Sequence, residues 1–467
     1  MKFDRRSLTM LVLFLLAALM LSSPFIVRSF NGDPLFSYSG SYYNLRASED
    51  IYTGVYWDPL ESRIHKVSFA NYFLGFLMSV TNMQGIIIIS VIIGLLSLYI
   101  FFLITKRFYL ERTATYTAFL FALSPMFLYL FTRINDLSLA TFFLLLFFHF
   151  YLKKNYFSIL FMVLIAVTSF QFFVAAVIIL LCYELYSRKL LFLISNLVPG
   201  IIAFFIFAFY HKGFQIFANV FANPSLSFYF TSFGAKTGIP FFYLFLGFIG
   251  LFATWKRGRE YSFFLLSLVI VFVFSFFTVV GKVVLNFYIC FLAAAIIITL
   301  LRRNWAVIFI KRFSLLLVLC SVIFSTSLYT DQIINENPNS DLVNALRFLE
   351  SQPDGVVFSH EKYGGFIQYF SEKKSFLDDN SFDYDNYFAL KDTEQKIFYS
   401  RNLEQTEEIL KESQIDYILI TPEMKEGLVW KKSDEGLLFL LENSDHFSKL
   451  FSSGEITVWK HIGGFVS

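Results

Sequence analysis

The sequence predicts a polytopic α-helical membrane protein with a soluble α/β domain at its C-terminal end. Three observations support this prediction. Hydrophobic residues make up 57% of the 467 residues and charged residues only 16%, with a mean hydropathy of +0.61, which is far from the composition of soluble proteins. Apolar runs near the length of a membrane span recur up to residue 329. Beyond that point the chain becomes polar and charged.

A helix needs about 20 apolar residues to cross a bilayer, and about eleven runs approach this length. They are residues 8–25, 85–105, 114–131, 137–152, 157–170, 171–186, 190–210, 239–254, 262–280, 284–301 and 313–329. The first run follows the basic segment MKFDRRS without a small-residue cleavage site after it, so it is predicted to be a span rather than a signal peptide. Residues 67–80 are predicted to form a helix along the membrane surface.

Lysine and arginine near the span ends predict the orientation of the chain. The positive-inside rule places the N-terminus and the basic loops after residues 105, 152, 186, 254 and 301 in the cytoplasm. The loops 30–66, 132–136 and 211–238 and everything after residue 329 are then extracytoplasmic. The predicted domains are therefore a transmembrane domain, 1–329, with a long first external loop, 30–66, and an extracytoplasmic domain, 330–467.

The residues after 329 alternate helical and strand patterns. NSDLVNALRFLESQ has the apolar period of a helix, and EQTEEILKES and EGLLFLLENSDHF also resemble helices. DGVVFSH and IDYILITP have the pattern of buried strands. This alternation predicts a small α/β domain. All three cysteines of the chain lie in predicted spans, so the domain is predicted to have no disulfide.

Charged side chains collect in the predicted external loops, close to the span ends. The carboxylates are Asp33, Glu49, Asp50, Asp58, Glu61 and Asp136, and the arginines are Arg46, Arg63 and Arg133. Carboxylates can bind a hard divalent cation or act as a general base, and a guanidinium can hold a phosphate through two parallel hydrogen bonds. The set predicts a site for a lipid-phosphate substrate, and the alternative is that these are ordinary solvated loop charges.

Four stretches of the chain together carry a family resemblance. SYYNLRASEDI and DPLESR lie in the first external loop, SPMFLYLFTRIND leads into the second, and ALRFLESQPDGVVFSHEKYGGFIQYFSEKKSFLDD opens the C-terminal domain. They resemble archaeal membrane glycosyltransferases of the GT-C superfamily, particularly those related to the catalytic subunit of oligosaccharyltransferase. That family has an acidic residue before a Tyr-Tyr-His-Leu-Arg run, an arginine before a metal-binding acidic residue, and a Trp-Trp-Asp-Tyr-Gly motif that reads the acceptor sequence.

The chain departs from the family pattern at several positions. Gly40 and Ser41 stand where the family has the acidic residue, and Asn44 replaces the histidine. The stretch SHEKYG keeps only the Tyr-Gly pair that begins with Tyr363, and Lys236 stands where oligosaccharyltransferases have a glutamate. Transfer of a whole oligosaccharide to asparagine is therefore not predicted.

The resemblance implies transfer of a single sugar from a polyprenyl-phosphate donor. The acceptor would be an exported glycan, lipid or protein in the cell envelope, and the other partner is the lipid bilayer, with no nucleic acid. Asp33 is the predicted catalytic base, because it lies just beyond the first span and the GDP sequence favours a turn that can aim its carboxylate.

The other predicted site residues also follow from the resemblance. Asp136 is the second predicted catalytic residue and would bind a divalent cation, Mg or Mn, together with Glu49 or Asp58. Arg133 and Arg46 would face the donor phosphate.

Aromatic residues in the first loop would stack against the sugar. They are Tyr42, Tyr43, Tyr56 and Trp57, and Tyr363 of the retained Tyr-Gly pair is a further predicted substrate-binding residue. The alternative for the tyrosines is anchoring at the headgroup level, where tyrosine and tryptophan concentrate.

Two other functions are compatible with the same sequence. A catalytically inactive GT-C homologue could bind a lipid-linked glycan or a partner as a scaffold, which would explain the missing acidic residue before Tyr42. A transporter or flippase is a third alternative, but transporters carry internal repeats and ionisable residues at the membrane midplane, whereas the charges here collect in loops.

Overall fold

The structure is a computed structural model that describes residues 5–61, 63–65, 67–187, 190–210, 229–233, 235, 237–254, 259–379, 386–432 and 434–462. The chain divides into two compact units. Met1–Val27 and Val67–Ile334 form the first unit, and Arg28–Lys66 and Asn335–Ser467 form the second. Helices and strands are numbered in chain order across both units.

The first unit is built from apolar helices. They are α1 (Arg5–Asn31), α3 (Phe69–Val80), α4 (Met83–Phe108), α5 (Glu111–Ala122), α6 (Pro125–Phe131), α7 (Asp136–Leu152), α8 (Phe157–Thr168), α9 (Phe170–Ser187), α10 (Leu190–Tyr210), α11 (Phe241–Thr254), α12 (Arg259–Phe277), α13 (Val279–Arg302) and α14 (Ile308–Asn335).

Each predicted apolar run lies mostly on one of these helices or on the pair α5 and α6. Among the described residues, five helices are long and apolar enough to cross a membrane, namely α1, α4, α10, α13 and α14. The pair α5 and α6 passes the same test together and is bent by 64°. The apolar helices α3, α7, α8, α9, α11 and α12 are shorter. The total of about eleven spans stays a prediction.

The bend between α5 and α6 has a local cause in the sequence. Pro125 is the first residue of α6, where its missing N–H leaves no unmade hydrogen bond, and Ser124 caps this helix. Polar side chains from other helices form hydrogen bonds with the residues around this bend, where a membrane interior offers no water to bond with. The Nδ2 group of Asn286 donates to Oγ of Ser124 at 3.1 Å, and the hydroxyl of Tyr243 donates to the carbonyl of Leu120 at 3.1 Å.

Helix α13 lies at the centre of the first unit. Its apolar residues belong to the core cluster, and it packs against α5, α11 and α12. Helix α11 approaches it so closely at Gly250 that a methyl group there would overlap the carbonyl oxygen of Leu292. Glycine is required at this contact because any side chain would push the two helices apart.

The second unit combines helices with a mixed sheet. Its elements are α2 (Ser39–Tyr52), β1 (Trp57–Asp58), β2 (Arg63–Ile64), α15 (Ser340–Glu350), β3 (Val356–Phe358), α16 (Gly364–Ser371), β4 (Lys374–Ser375), α17 (Tyr387–Tyr399), α18 (Leu403–Glu412), β5 (Ile415–Ile420), α19 (Leu437–Asn443), β6 (Phe447–Ser453) and β7 (Ile456–His461). The helices and strands predicted from the sequence coincide with α15, β3, α18, β5 and α19.

The sheet has five strands in the order β4-β3-β5-β7-β6. Strands β4, β3 and β5 are parallel, and β7 runs antiparallel to both β5 and β6. Ile418 of the central strand lies between Phe358 and Trp459 of its neighbours. Helix α15 contributes the buried residues of its predicted apolar face, Leu342, Val343, Leu346 and Leu349, to the core of this unit.

Residues 28–66 fold with the C-terminal region, whereas the sequence assigned 30–66 to the transmembrane domain. Helix α2 packs against α16, where the N–H of Gly365 donates to Oγ of Ser39 at 3.1 Å. A Cβ at Gly365 would lie 2.6 Å from that oxygen. This close approach, together with the ion pairs of the next section, assigns the loop to the second unit.

Candidate functional site

Asp33 lies in the connection between α1 and α2, just after Gly32. Gly32 has a φ of 76°, a conformation that favours glycine. The Asp33 carboxylate accepts a hydrogen bond through Oδ1 from the N–H of Ser340 at 2.9 Å, in the first turn of α15. Within the described part of the chain, Oδ2 accepts no hydrogen bond, and the side chain is half-buried. One carboxylate oxygen is thus anchored, and the other remains available to a substrate.

Arg28 fixes the backbone around Asp33. Its guanidinium is only 1% exposed and donates to three carbonyl oxygens: from Nε to Pro34 at 2.7 Å, from Nη1 to Glu336 at 2.6 Å and from Nη2 to Pro338 at 2.6 Å. These bonds tie the segment after α1 to the segment before α15. Arg28 is therefore a positioning residue that the sequence analysis missed, because an arginine at the end of an apolar run resembles an ordinary flank.

Tyr42 and Tyr43 lie on α2 and are 3% and 6% exposed. The ring of Tyr42 packs among Phe366, Tyr369 and Phe370, with ring centroids 4.9–5.6 Å apart. Burial raises the pKa of the Tyr43 hydroxyl to about 12. A role for these two rings in sugar binding stays a prediction, and the structure gives them a packing role in the second unit.

Arg46 and Asp58 form a buried ion pair. Nη1 of Arg46 donates to Oδ1 of Asp58 at 2.7 Å, and Nη2 donates to Oδ2 at 2.6 Å. Asp58 is fully buried and also accepts from the N–H of Leu60 at 3.0 Å and of Glu61 at 3.3 Å. Because its guanidinium fork already holds a carboxylate, Arg46 would have to break this pair to bind a phosphate.

Gln368 connects this ion pair to a second one. Its Oε1 accepts from Nη2 of Arg46 at 2.9 Å, and its Nε2 donates to Oε1 of Glu61 and to Oδ2 of Asp378, both at 2.7 Å. Nη2 of Arg63 donates to the same Asp378 oxygen at 2.5 Å. We call Arg46, Asp58, Glu61, Arg63, Gln368 and Asp378 the loop network. It fixes the first loop to α16 and β4.

The loop network makes the stability of the second unit depend on pH. Burial acts to raise the pKa of Asp58, but the hydrogen bonds from Arg46 outweigh it and hold the pKa below its ordinary value, which is about 3.9. A carboxyl whose folded pKa is lowered contributes stability above its unfolded pKa, and this contribution is lost as the pH falls through the folded pKa.

We therefore expect the urea midpoint of the second unit, followed by tryptophan fluorescence, to fall as the pH is lowered below about 4, because the contribution of Asp58 is present above an ordinary aspartate pKa of about 3.9 and is lost through its lower folded pKa. Trp430 is buried in this unit and reports its unfolding. The Asp58→Asn variant is less stable throughout but should show a flatter dependence on pH. An equal slope in the variant would contradict this origin of the acid sensitivity.

The predicted metal ligands Glu49 and Asp136 lie in different units. Glu49 is exposed on α2, and Asp136 is in the first turn of α7 in the first unit. In the described ranges no group of three His, Cys, Asp or Glu side chains is arranged to hold an ion. Divalent cations bound by protein usually take several oxygen ligands. The predicted Mg or Mn stays a prediction, and no step proposed below involves a metal.

Arg133 and Asp136 flank the start of α7 in the first unit. Arg133 is 3% exposed, and its guanidinium carbon lies 5.0 Å from the centre of the Tyr129 ring, which is a cation–π distance. Asn135 caps α7 by accepting from the N–H of Ser138 at 3.1 Å. Asp136 follows in the first helical turn, where a carboxylate is favoured by the helix dipole.

Lys282 is a second buried cation of the first unit. It lies in the first turn of α13 and is 8% exposed. Its Nζ group donates to the carbonyl of Thr237 at 3.1 Å and lies 5.9 Å from the centre of the Tyr229 ring. The predicted runs 262–280 and 284–301 left Lys282 in a short connection, so the sequence analysis did not single it out. Lys236, which it did single out, lies outside the described residues.

Tyr363 is buried in a polar network of the second unit. Its hydroxyl donates to Oε2 of Glu423 at 2.9 Å and accepts from Oγ1 of Thr421 at 2.8 Å. Asn337 donates to the other oxygen of Glu423 at 2.8 Å. Burial, followed by the charge of Glu423, raises the pKa of Tyr363. Its role in substrate binding stays a prediction.

No protein-family model and no curated protein sequence matches the chain. Solved structures do match. The oligosaccharyltransferase from Archaeoglobus fulgidus in the apo form has a TM-score of 0.62 at 15% identity, over 89% of this chain and 70% of that one. The archaeal oligosaccharyltransferase AglB from the same organism, in complex with an inhibitory peptide and a dolichol-phosphate, has a TM-score of 0.61 at 14% identity, over the same shares.

A further match covers both chains almost completely. ArnT from Cupriavidus metallidurans, bound to undecaprenyl phosphate, has a TM-score of 0.55 at 13% identity, over 96% of this chain and 97% of that one. Oligosaccharyltransferase and ArnT are both GT-C glycosyltransferases. The chain has the GT-C fold. The GT-C fold and the apolar helices together make it a multi-pass membrane protein.

The GT-C chain presents its predicted site residues in two groups. Asp33 lies in the second unit beside Arg28. In the same unit Tyr42 and Tyr43 are engaged in packing, and Arg46 and Asp58 form an ion pair. Asp136 and Arg133 lie in the first unit, together with Lys282. Of the predicted sugar-stacking residues, Tyr56 and Trp57 are the exposed ones, at 38% and 53%.

Proposed function

We propose that the protein transfers a sugar from a polyprenyl-phosphate donor to an extracytoplasmic acceptor. The observation that carries this proposal is the GT-C fold shared with ArnT over 96% of this chain and 97% of that one, in a structure bound to undecaprenyl phosphate. The dolichol-phosphate in the AglB complex supports the same class of donor. Both ligands are long lipids that end in a phosphate.

The side of the membrane follows from the positive-inside rule. It supports a cytoplasmic N-terminus, with the second unit and the start of α7 on the extracytoplasmic side. In this topology residues 335–467 are an extracytoplasmic α/β domain that folds together with the first loop. The same topology puts the proposed site residues on the extracytoplasmic side, namely Asp33, Asp136, Arg133 and Lys282.

Asp33 is the proposed general base. Its free Oδ2 takes the proton of an acceptor hydroxyl while the acceptor oxygen attacks the anomeric carbon of the sugar. The bond between that carbon and the phosphate oxygen breaks, and the polyprenyl phosphate leaves with the electron pair. The anchored Oδ1 and the Arg28 clamp support this role, because a base must be held in position to act efficiently.

Arg133 and Lys282 are the proposed partners of the donor phosphate. Both are nearly buried cations, and a desolvated cation stabilises negative charge developing on a leaving group more strongly than a solvated one does. Asp136 would orient the substrate near them. Trp57 and Tyr56 remain candidates for stacking against the sugar.

The test is release of radiolabelled sugar from a panel of polyprenyl-phosphate sugars by purified protein in lipid. We expect Arg133→Gln to lower turnover by roughly 10²–10³-fold, the loss typical of one preorganised donor. Arg133→Lys keeps the charge but loses the planar fork, so it should retain intermediate activity. Asp136→Asn should also lower turnover.

Arg347→Gln is the matched control. Arg347 is exposed on α15 and should be replaceable without loss of turnover. Equal losses in Arg133→Gln and Arg347→Gln would remove the assigned role of Arg133, and a wild-type protein that releases no sugar from any donor would contradict the enzymatic function.

A catalytically inactive GT-C homologue that binds a lipid-linked glycan is the second candidate. The absence of an acidic residue at the position where the family has one favours this candidate. Here Ser39, Gly40 and Ser41 occupy the buried start of α2 against α16. If Asp33 is not the base, no acidic residue at that position can act in its place. Binding of donor without turnover distinguishes this candidate from the enzyme.

A further inference from the structure

A basic cavity lies at the end of the first unit where α4 and α7 both end. Its volume is about 270 Å³, near the lower limit for ligand pockets. Lys106 and Arg107 line it from the last turn of α4, and His149 and Lys153 line it from the end of α7. Four basic side chains thus face one small space.

The other lining residues are apolar. They are Leu103, Ile104 and Leu152, and among the residues that the structure describes no carboxylate lines the cavity. Lys106 forms an ion pair with Glu111 at 3.4 Å. Arg107 and Lys153 are exposed, and within the described ranges neither side chain forms a hydrogen bond or an ion pair. At least two cations are therefore available to an anion from outside.

The basic surface continues beyond this cavity. A neighbouring cavity of about 570 Å³ shares Lys106 and adds Arg112 and Arg302, together with one carboxylate, that of Glu111. Both cavities lie where long apolar helices end, which is the level at which lipid headgroups meet water. The combination of an apolar wall with several cations suits a headgroup phosphate that is attached to acyl chains, whereas a soluble phosphate would gain nothing from the wall.

We infer that the cavity formed by Lys106, Arg107, His149 and Lys153 binds the phosphate of an anionic phospholipid. Basic pockets between membrane helices are suited to such headgroups. The site is separate from the proposed reaction centre, because Asp136 begins α7 and Leu152 ends it, about 24 Å away along the helix axis. The inference does not depend on glycosyl transfer.

Native mass spectrometry of the detergent-purified full chain tests the inference. Phosphatidylglycerol and phosphatidylcholine are added separately, and the dissociation constant of the first bound lipid is measured. We expect wild type to bind phosphatidylglycerol more tightly. We expect Arg107→Gln/Lys153→Gln to weaken phosphatidylglycerol binding roughly 30-fold, which corresponds to about 2 kcal/mol for two cations near the membrane surface.

Arg303→Gln/Arg312→Gln is the matched control. It removes two exposed arginines near the end of α13 and the start of α14 that do not line this cavity, and it should change binding less than about twofold because charges that do not touch the lipid are screened.

Three results would overturn the inference. Equal wild-type affinity for the two lipids would show that charge is not recognised. Equal losses of phosphatidylglycerol affinity in the two double variants would show that the lipid responds to the overall surface charge and not to this cavity. Competition by inorganic phosphate at concentrations similar to those of the lipid would identify a soluble anion as the ligand. The comparison of the two lipids uses only the wild-type protein, so it tests the inference even if a variant fails to fold.

Discussion

Asp33→Asn should lower the rate of sugar transfer by roughly 10²–10⁴-fold, the contribution typical of a general base. The change is conservative because asparagine keeps an oxygen that can accept the N–H of Ser340, now seen at 2.9 Å. The anchoring hydrogen bond therefore survives, whereas the basicity is lost. Turnover of a labelled polyprenyl-phosphate sugar measures the effect, and donor binding should remain close to that of wild type.

Asp341→Asn is the control for this change. Asp341 lies in the first turn of the same helix, α15, and its carboxylate accepts from Oγ of Ser453 at 2.8 Å. It should be replaceable without loss of turnover. If both variants lose activity together, the carboxylates act through the stability of α15, and Asp33 is not the base. An equal urea midpoint for wild type and Asp33→Asn would exclude unfolding as the cause.

Asp58→Ala should destabilise the second unit by about 3–5 kcal/mol, the cost of leaving one member of a buried ion pair unpaired. The variant leaves Arg46 buried without its carboxylate. Arg46→Met should cost less, because Asp58 keeps two backbone N–H groups and has Nε of Arg63 at 4.0 Å. The free energy of unfolding comes from urea titrations of the full chain in detergent micelles, followed by tryptophan fluorescence.

The double variant Arg46→Met/Asp58→Ala completes the cycle. We expect it to be less destabilised than the sum of the single variants, because no charge is then left unpaired. The exposed pair Asp392 and Lys396 on α17 is the control, and Asp392→Ala should cost no more than about 0.5 kcal/mol. Additive losses at Arg46 and Asp58 would mean that the loop network does not couple these residues.

Much of the fold could be predicted from local sequence patterns. The apolar runs lie on helices because burial in lipid or core requires continuous apolar residues, and the period of Leu342, Leu346 and Leu349 correctly predicted the buried face of α15. The strands β6 and β7 were missed. On β6 most residues are partly buried or exposed, so the alternation of apolar and polar residues that identifies a strand is weak there.

The candidate site could be predicted only in part. Asp33, Arg133 and Asp136 were chosen by residue type and position, but the environment of each depends on distant partners. The fold brings residues 28–66 against α16 through Gln368 and Asp378, about 300 positions away in sequence. No local pattern shows that Arg46 and Tyr42 would be engaged in this packing, or that Lys282 would be buried beside Tyr229.

The most direct test of the proposed function measures donor binding and sugar release on one preparation of wild-type protein in lipid. A panel of radiolabelled polyprenyl-phosphate sugars is offered with and without an extract of exported glycans and lipids as acceptor. The proposal predicts binding of at least one donor and release of its sugar, with release lost in Asp33→Asn. Saturable donor binding with no release from any member of the panel would contradict it and identify a lipid-glycan-binding GT-C homologue instead.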